Sequence, residues 1–185
     1  YWREVDNEVI ATLVTDVDGQ VLSRITRLRP LRVSSYTNDV LSIEWQRDKE
    51  RVTRDFTLFN RLVVRAGDYQ SDRYRAEVSS GTQRPVSVVA SFDNGGFFGG
   101  DRLEKAVDVQ WRQSAHFFAS LGITENIVDL PGGSFTSRLI RFRSDTAFNS
   151  SWSWSTLIQY ENTNRSLGLN TRLRYVPVAG REFLL

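Results

Sequence analysis

Residues Ser134 to Tyr175 read SFTSRLIRFRSDTAFNSSWSWSTLIQYENTNRSLGLNTRLRY. Taken at every second position, this stretch separates into two rows. The first strand-like run sets Ile140, Phe142, Ser144, Thr146 and Phe148 against Leu139, Arg141, Arg143, Asp145 and Ala147. After a short turn, Trp152, Trp154, Thr156, Ile158 and Tyr160 alternate with Ser151, Ser153, Ser155, Leu157 and Gln159. Leu167, Leu169, Thr171, Leu173 and Tyr175 then alternate with Ser166, Gly168, Asn170, Arg172 and Arg174. A period of two is that of an extended strand with one apolar and one polar face. Runs of about ten residues, with Trp and Tyr near the ends of the apolar row, have the length of a strand that crosses a bilayer.

The same alternation runs through most of the chain. Glu8–Thr15 and Val21–Val33 flank Asp16-Val17-Asp18-Gly19, a hairpin-type turn, and Pro30 predicts a bulge or strand end in the second run. Leu41, Ile43 and Trp45 form an apolar row, and Arg47–Arg51 reads as a charged loop. Phe56–Ala66 reads as one strand, with Arg61 and Arg65 on its polar side, ending in the turn Gly67-Asp68. Further strands carry Tyr74, Ala76 and Val78; Val86, Val88, Ala90 and Phe92; Val107, Val109 and Trp111; and Phe117, Ala119, Leu121 and Ile123. Asp93–Asp101 and Asp129–Gly133 read as glycine-rich loops. About ten or eleven strands with short connections predict an all-β antiparallel meander without a composition break between domains.

Composition narrows the choice. No run approaches the roughly 20 apolar residues of a membrane helix, so helical membrane proteins are excluded, whereas a transmembrane barrel, half of whose residues are polar, is not. The 24 Lys and Arg are mixed among 22 Asp and Glu, a net charge of +2, which gives no nucleic-acid signal. With no cysteine, disulfides, thiol catalysis and Cys-ligated zinc drop out together. The chain also has no methionine, begins at Tyr1 and stops inside the apolar run Phe183-Leu184-Leu185, so residues 1–185 read as a single barrel segment of a longer protein whose N-terminal domain is absent.

Alternation alone fits a soluble sandwich with its apolar rows inward as well as a membrane barrel with those rows outward. Three features favour the barrel. Trp45, Trp111, Trp152 and Trp154, with Tyr160 and Tyr175, lie on the apolar rows as a lipid-facing girdle would. Arginines recur on the polar rows of neighbouring strands, where a water-filled interior would solvate them. The connections read as an alternation of tight turns and longer glycine-rich loops.

Several segments resemble landmarks, in the same order, of one bacterial family. They are Gly67-Asp68-Tyr69, Gly96-Phe97-Phe98-Gly99-Gly100-Asp101-Arg102, Asp129-Leu130-Pro131-Gly132-Gly133-Ser134-Phe135, Gln159-Tyr160 and Asn170-Thr171-Arg172-Leu173-Arg174-Tyr175. The resemblance covers about Val40 to Leu185. Members of that family carry an N-terminal carbohydrate-binding, family-nine-like domain followed by an uncharacterised region taken to be an outer-membrane β-barrel. It implies an outer-membrane location and a C-terminal position for these strands in a larger barrel. The sugar-binding domain is not in this segment, so no sugar-binding residue carries over.

Sites of chemistry are sparse. The single histidine, His116, is followed two positions later by Phe118 rather than the serine an outer-membrane phospholipase would need. Asp16, Asp18 and Gly19 open like a calcium loop but no glutamate follows at the twelfth position, so they read as a turn. The glycines around Phe97 and Phe98 open no helix and read as places for close backbone packing or a bend, not a phosphate cradle. The remaining candidates are Arg141, Arg143, Arg172 and Arg174, which either select an anion or acidic sugar in a lumen or pair with carboxylates such as Asp145, Glu161, Glu104 and Asp108 to fill it. The expectation is therefore an antiparallel up-and-down transmembrane β-barrel of the bacterial outer membrane, with lipid as its surroundings. It is non-enzymatic, without cofactor or metal, and does not bind nucleic acid. Its role is that of channel, receptor or anchor associated with a carbohydrate-binding domain, with carbohydrate or a small anionic solute as a candidate partner. A scaffold subunit of a larger membrane assembly, a membrane hydrolase and a soluble β-sandwich binding module are the alternatives.

Overall fold

The computed structural model describes residues 1–58, 62–178 and 180–184, which form strands and turns without a helix. The strands are β1 (Trp2–Thr15), β2 (Val21–Ser35), β3 (Val40–Val52), β4 (Phe56–Leu58), β5 (Leu62–Val64), β6 (Gly67–Ser79), β7 (Val86–Phe97), β8 (Gly100–Arg112), β9 (Phe117–Leu130), β10 (Gly133–Ala147), β11 (Trp152–Glu161), β12 (Ser166–Val178) and β13 (Arg181–Leu184). Ten long strands and the short β13 make one sheet in the order β1-β2-β3-β6-β7-β8-β9-β10-β11-β12-β13, while β4 pairs only with β5. The antiparallel up-and-down arrangement is as the sequence predicts. The sheet is not closed into a barrel: β1 and β13 end the strand order, and closure requires the first and last strands to pair.

Contacts group the chain into two compact units. One holds Tyr1–Val78, Ser91–Lys105 and Asn126–Thr136; the other holds Ser79–Ala90, Ala106–Glu125 and Ser137–Leu185.

In the first unit, β1, β2 and β3 pair residue by residue, and Pro30 falls where the register shifts on both sides, between Leu28 and Leu31 against β3 and between Asp6 and Glu8 against β1. A residue with no N–H cannot keep the ladder, and the bulge absorbs it. The turn after β1 is held by Asp16, whose Oδ1 accepts from the Asp18 and Gln20 N–H groups at 3.0 and 2.7 Å, and Gly19 takes a φ of 79°. The carboxylate serves its own backbone there.

Several sequence expectations are corrected in this unit. Arg47–Arg51 is part of β3 rather than a loop, because its charges are matched by the next strand of the sheet. Arg47 Nε donates to Asp72 Oδ1 and Arg51 Nε to Asp68 Oδ1, both at 2.8 Å. Phe56–Ala66 is not one strand but holds the hairpin β4–β5, with Arg61 outside the described residues, and Gly67-Asp68 begins β6 instead of closing a turn. The glycine-rich segments are strand up to Phe97 and Leu130, with only Phe98-Gly99 and Pro131-Gly132 left as turns. Tight and long connections therefore do not alternate as read, since the two glycine-rich connections are two-residue turns, shorter than 36–39, 113–116 or 148–151.

Glycine is needed inside these strands for proximity. A Cβ on Gly95 would sit 2.2 Å from the Asp72 carbonyl oxygen, and one on Gly100 would sit 2.0 Å from that of Asp129. No side chain fits, which bears out the reading of close backbone packing.

The hairpin explains where apolar side chains are dry. The polar rows of β3, β9 and β10 end in apolar residues: Val52 after Gln46, Asp48 and Glu50; Val128 and Leu130 after Thr124 and Asn126; Phe135 before Ser137. Leu62 and Val64 of β5 join them in the buried cluster, with Leu58, Tyr69, Phe97 and Phe98 packed around it. Phe98 meets Phe56 and Tyr69 edge-on at 5.5 and 5.4 Å between ring centroids. The hairpin thus covers this apolar stretch of the polar face.

In the second unit, β10, β11 and β12 pair without a register break. Phe142, Ile158 and Leu169 align across one face, while Asp145, Ser155 and Arg172 align across the other. The apolar face is open: Ile140, Phe142, Trp154, Ile158 and Leu169 are all exposed, Leu169 to 68%. They do not meet in a dry core.

Candidate functional site

Along the apolar face, each unit shows where the row changes character. In the first, Leu41, Ile43 and Trp45 of β3 give way to Arg47, and Val78, Ala76 and Tyr74 of β6 give way to Asp72, the partner of Arg47. The Arg47 guanidinium lies 5.1 Å from the Trp45 ring centroid. In the second unit, Ile123 and Ile140 are each followed, two residues on along their rows, by Glu125 and Arg138, which pair through Arg138 Nε. Aromatic rings mark the other end of the second unit's rows. Trp111 meets Phe117 edge-on at 5.4 Å, and Trp152 stacks on Tyr175 at 4.2 Å, which in turn stacks on Phe183 at 6.3 Å. Trp154 donates from Nε1 to Thr171 Oγ1 at 2.7 Å. Of the six predicted girdle residues, Trp111, Trp152, Trp154 and Tyr175 gather near strand ends beside turns 113–116 and 148–151. Tyr160 stands toward the opposite end of β11, and Trp45 is inside β3, at the edge of its apolar stretch.

The polar rows form a recess in each unit. In the first, a space of about 250 Å³ is lined by Arg27, Glu44, Gln46, Arg73, Asp93 and Arg102, with Arg75 beside them. Charges here are matched. Arg27 pairs with Glu44 at 3.0 Å, Arg75 with Glu77 at 2.9 Å and Arg102 with Glu104 at 3.4 Å. Arg73 donates from Nε to Asp93 Oδ1 at 3.0 Å and from Nη2 to the same oxygen, and these two side chains are only 16% and 12% exposed. Arg73 and Asp93 are thus better shielded than apolar side chains such as Leu167 and Leu169, which are 70% and 68% exposed.

In the second unit, a recess of about 520 Å³ opens at the ends of β8 to β12, lined by Arg112, His116, Phe118, Asp145, Arg172 and Arg174 together with Ser153 and Ser155. Turn 113–116 is fixed by the His116 N–H donating to Ser114 Oγ at 3.1 Å, and the His116 carbonyl accepts from the Ala147 N–H at 2.8 Å. Arg112 is anchored by its own N–H on the Pro85 carbonyl at 2.7 Å and holds its guanidinium 5.8 Å from the Phe118 ring centroid.

The four predicted arginines are therefore separated. Arg172 and Arg174 line the recess, whereas Arg143 does not and donates from Nε to Asp145 Oδ2 at 2.7 Å. Arg141 pairs in register with Gln159 and lies over Gly122, where a Cβ would come within 3.5 Å of its Nη2 and 2.7 Å of Asp108 Oδ2. Of the suggested partners, Asp145 goes to Arg143 and Glu104 to Arg102, while Glu161 accepts from Asn164 Nδ2 at 3.1 Å. Arg112 was missed as a site residue although its row position was plain; it stands at the end of β8 and lines the same recess as Arg172. The His116 imidazole makes no side-chain hydrogen bond to Asp145 or to a serine among the described residues.

No cluster of potential metal ligands occurs among the described residues. Comparison with protein-family models, with curated proteins and with solved structures gave no match.

Proposed function

We propose that this chain forms wall strands of a β-barrel in the bacterial outer membrane, its apolar rows toward lipid and its arginine rows toward a wet interior. The barrel serves as a channel, receptor or anchor associated with a carbohydrate-binding domain. One observation carries the reading: large side chains such as Leu169, Leu167 and Phe92 are open to the surroundings while Arg73 and Asp93 are shielded together. In water that arrangement forfeits about 25 cal/mol for every Å² of apolar surface left wet, whereas in hydrocarbon it is the stable one.

The lengths agree. Apolar rows spanning nine positions, from Ile140 on β10 to Phe148 just after it, Tyr160 to Trp152 on β11 and Leu167 to Tyr175 on β12, match the roughly 9–11 residues of a tilted spanning strand. The bounded apolar stretches, with Trp45 and Tyr74 at one limit and Trp111, Trp152 and Tyr175 at another, have the form of interfacial aromatic belts. The charged continuations of β3 and β6 are then strand beyond the lipid, held by Arg47–Asp72 and Arg51–Asp68. The hairpin β4–β5 lies on the interior face and narrows it.

A scaffold role in a larger membrane assembly is the second reading, and the unpaired edges at β1 and β13 favour it. An exposed edge of fourteen residues such as β1 is a template for another strand.

The expected outcome is detergent-dependent solubility and heat-modifiable migration: unboiled protein runs as a compact species on detergent gels and shifts on boiling. A chain that is folded and monomeric in plain buffer would overturn the membrane reading.

A further inference from the structure

We propose that the recess at the ends of β8 to β12 binds a small anion, its carboxylate or phosphate oxygens held by Arg112 and Arg172. This names the solute class for the channel or receptor role and rests on the wet-interior reading of that face. The contrast between the two recesses carries it. In the first unit, Arg27, Arg73, Arg75 and Arg102 each have a carboxylate partner, so that space is electrically closed. In the second, the single carboxylate lining the recess, Asp145, is already engaged by Arg143.

Arg172 aligns with Ser155, and Asp145 aligns with Ser155 from the far side, two strand spacings or roughly 10 Å away between backbones. Among the described residues no carboxylate lies within ion-pair distance of Arg172 or Arg112, and Arg112 rests on an aromatic ring instead. Arg112 and Arg172 both line this polar space, and an anion there would take charge-assisted hydrogen bonds from their guanidinium groups. Ser153 and Ser155 add hydroxyls on the same face, able to donate to oxygens or accept from hydroxyls of the ligand. At about 520 Å³ the recess is within the roughly 300–1,000 Å³ of small-molecule sites.

The test uses the full chain refolded in detergent, its fold checked by heat-modifiable migration, and titrates it calorimetrically with inorganic phosphate, with glucuronate and with neutral glucose. Saturable binding of at least one anion but not of glucose is expected, weakened about tenfold or more in R112Q/R172Q and largely kept in R112K/R172K, which preserves charge but not the planar fork. Phosphate alone, glucuronate alone or both would each support the site and identify which oxygen group it takes. Absence of anion binding by protein that migrates as folded, or equal affinity in R112Q/R172Q, overturns the proposal and leaves the barrel reading standing. Loss of heat-modifiable migration in the parent chain is instead the failure of the barrel reading.

Discussion

Arginine placed at Ile158 or Leu169 is expected to lower the stability of the protein in bilayers by about 2–4 kcal/mol for each substitution, whereas Gln159→Arg is expected to cost no more than about 1 kcal/mol, the like charge of Arg141 opposite it included. Ile158, Leu169 and Phe142 align across three neighbouring strands, near the middle of their apolar rows. A guanidinium there would have to stay in hydrocarbon or drag water in with it. Gln159 is one residue away and on the opposite face, in register with Arg141 and Gly168. Reversible unfolding by guanidinium chloride in lipid vesicles measures the difference. Were both faces equally tolerant, the apolar row would not face lipid.

Arg73→Ala should be the costliest change on the polar face. It leaves the Asp93 carboxylate, 12% exposed, without the two hydrogen bonds from Nε and Nη2. Removing one partner of a shielded pair costs about 3–5 kcal/mol, and the lower end is expected here because Arg27, Arg75 and Arg102 line the same space. The double variant R73A/D93A should recover part of the loss, since no unmatched charge remains, and a double-mutant cycle in the same vesicles gives the coupling. A loss as small as that of an exposed surface pair, below about 1 kcal/mol, would mean that this recess is wetter than its exposures imply.

Much of the fold was legible because period two is a strong signal wherever it runs unbroken. From Leu139 to Tyr175 the two rows and their turns coincide with β10, β11 and β12, and Pro30 announced its bulge. What the sequence hid has physical causes. Charge in Arg47–Arg51 resembles a solvated loop until the partner strand is known, and only Asp68 and Asp72 reveal it as paired strand. Gly95, Gly96 and Gly100 resemble loop residues because glycine is common in turns, yet they are strand positions where a neighbouring backbone leaves no room for Cβ. The hairpin β4–β5 was folded into a single strand because Val52, Val128, Leu130 and Phe135, which it covers, lie far from it in sequence.

The site was half legible. Row position placed Arg141, Arg143, Arg172 and Arg174 on polar faces, but not which of them share a space. Register decides that: Arg172 and Arg174 stand at the end where β8 turns into β9, whereas Arg141 is held over Gly122 beside Asp108. Alternation also left open which face meets water. The exposures of the apolar rows and the shielding of Arg73 and Asp93 are what favour lipid outside.

The direction of those faces can be read directly, because a chain without cysteine accepts single cysteines without background labelling. A nitroxide attached in turn at positions 139–147, with the protein in lipid vesicles, reports collisions with oxygen, which partitions into lipid, and with a water-soluble nickel chelate. The expected result is two curves of period two in opposite phase: Ile140, Phe142, Ser144 and Thr146 accessible to oxygen, Arg141, Arg143 and Asp145 accessible to nickel. If the even positions are instead shielded from both reagents while the odd ones meet only water, the apolar row is a dry interior and these strands do not span a membrane.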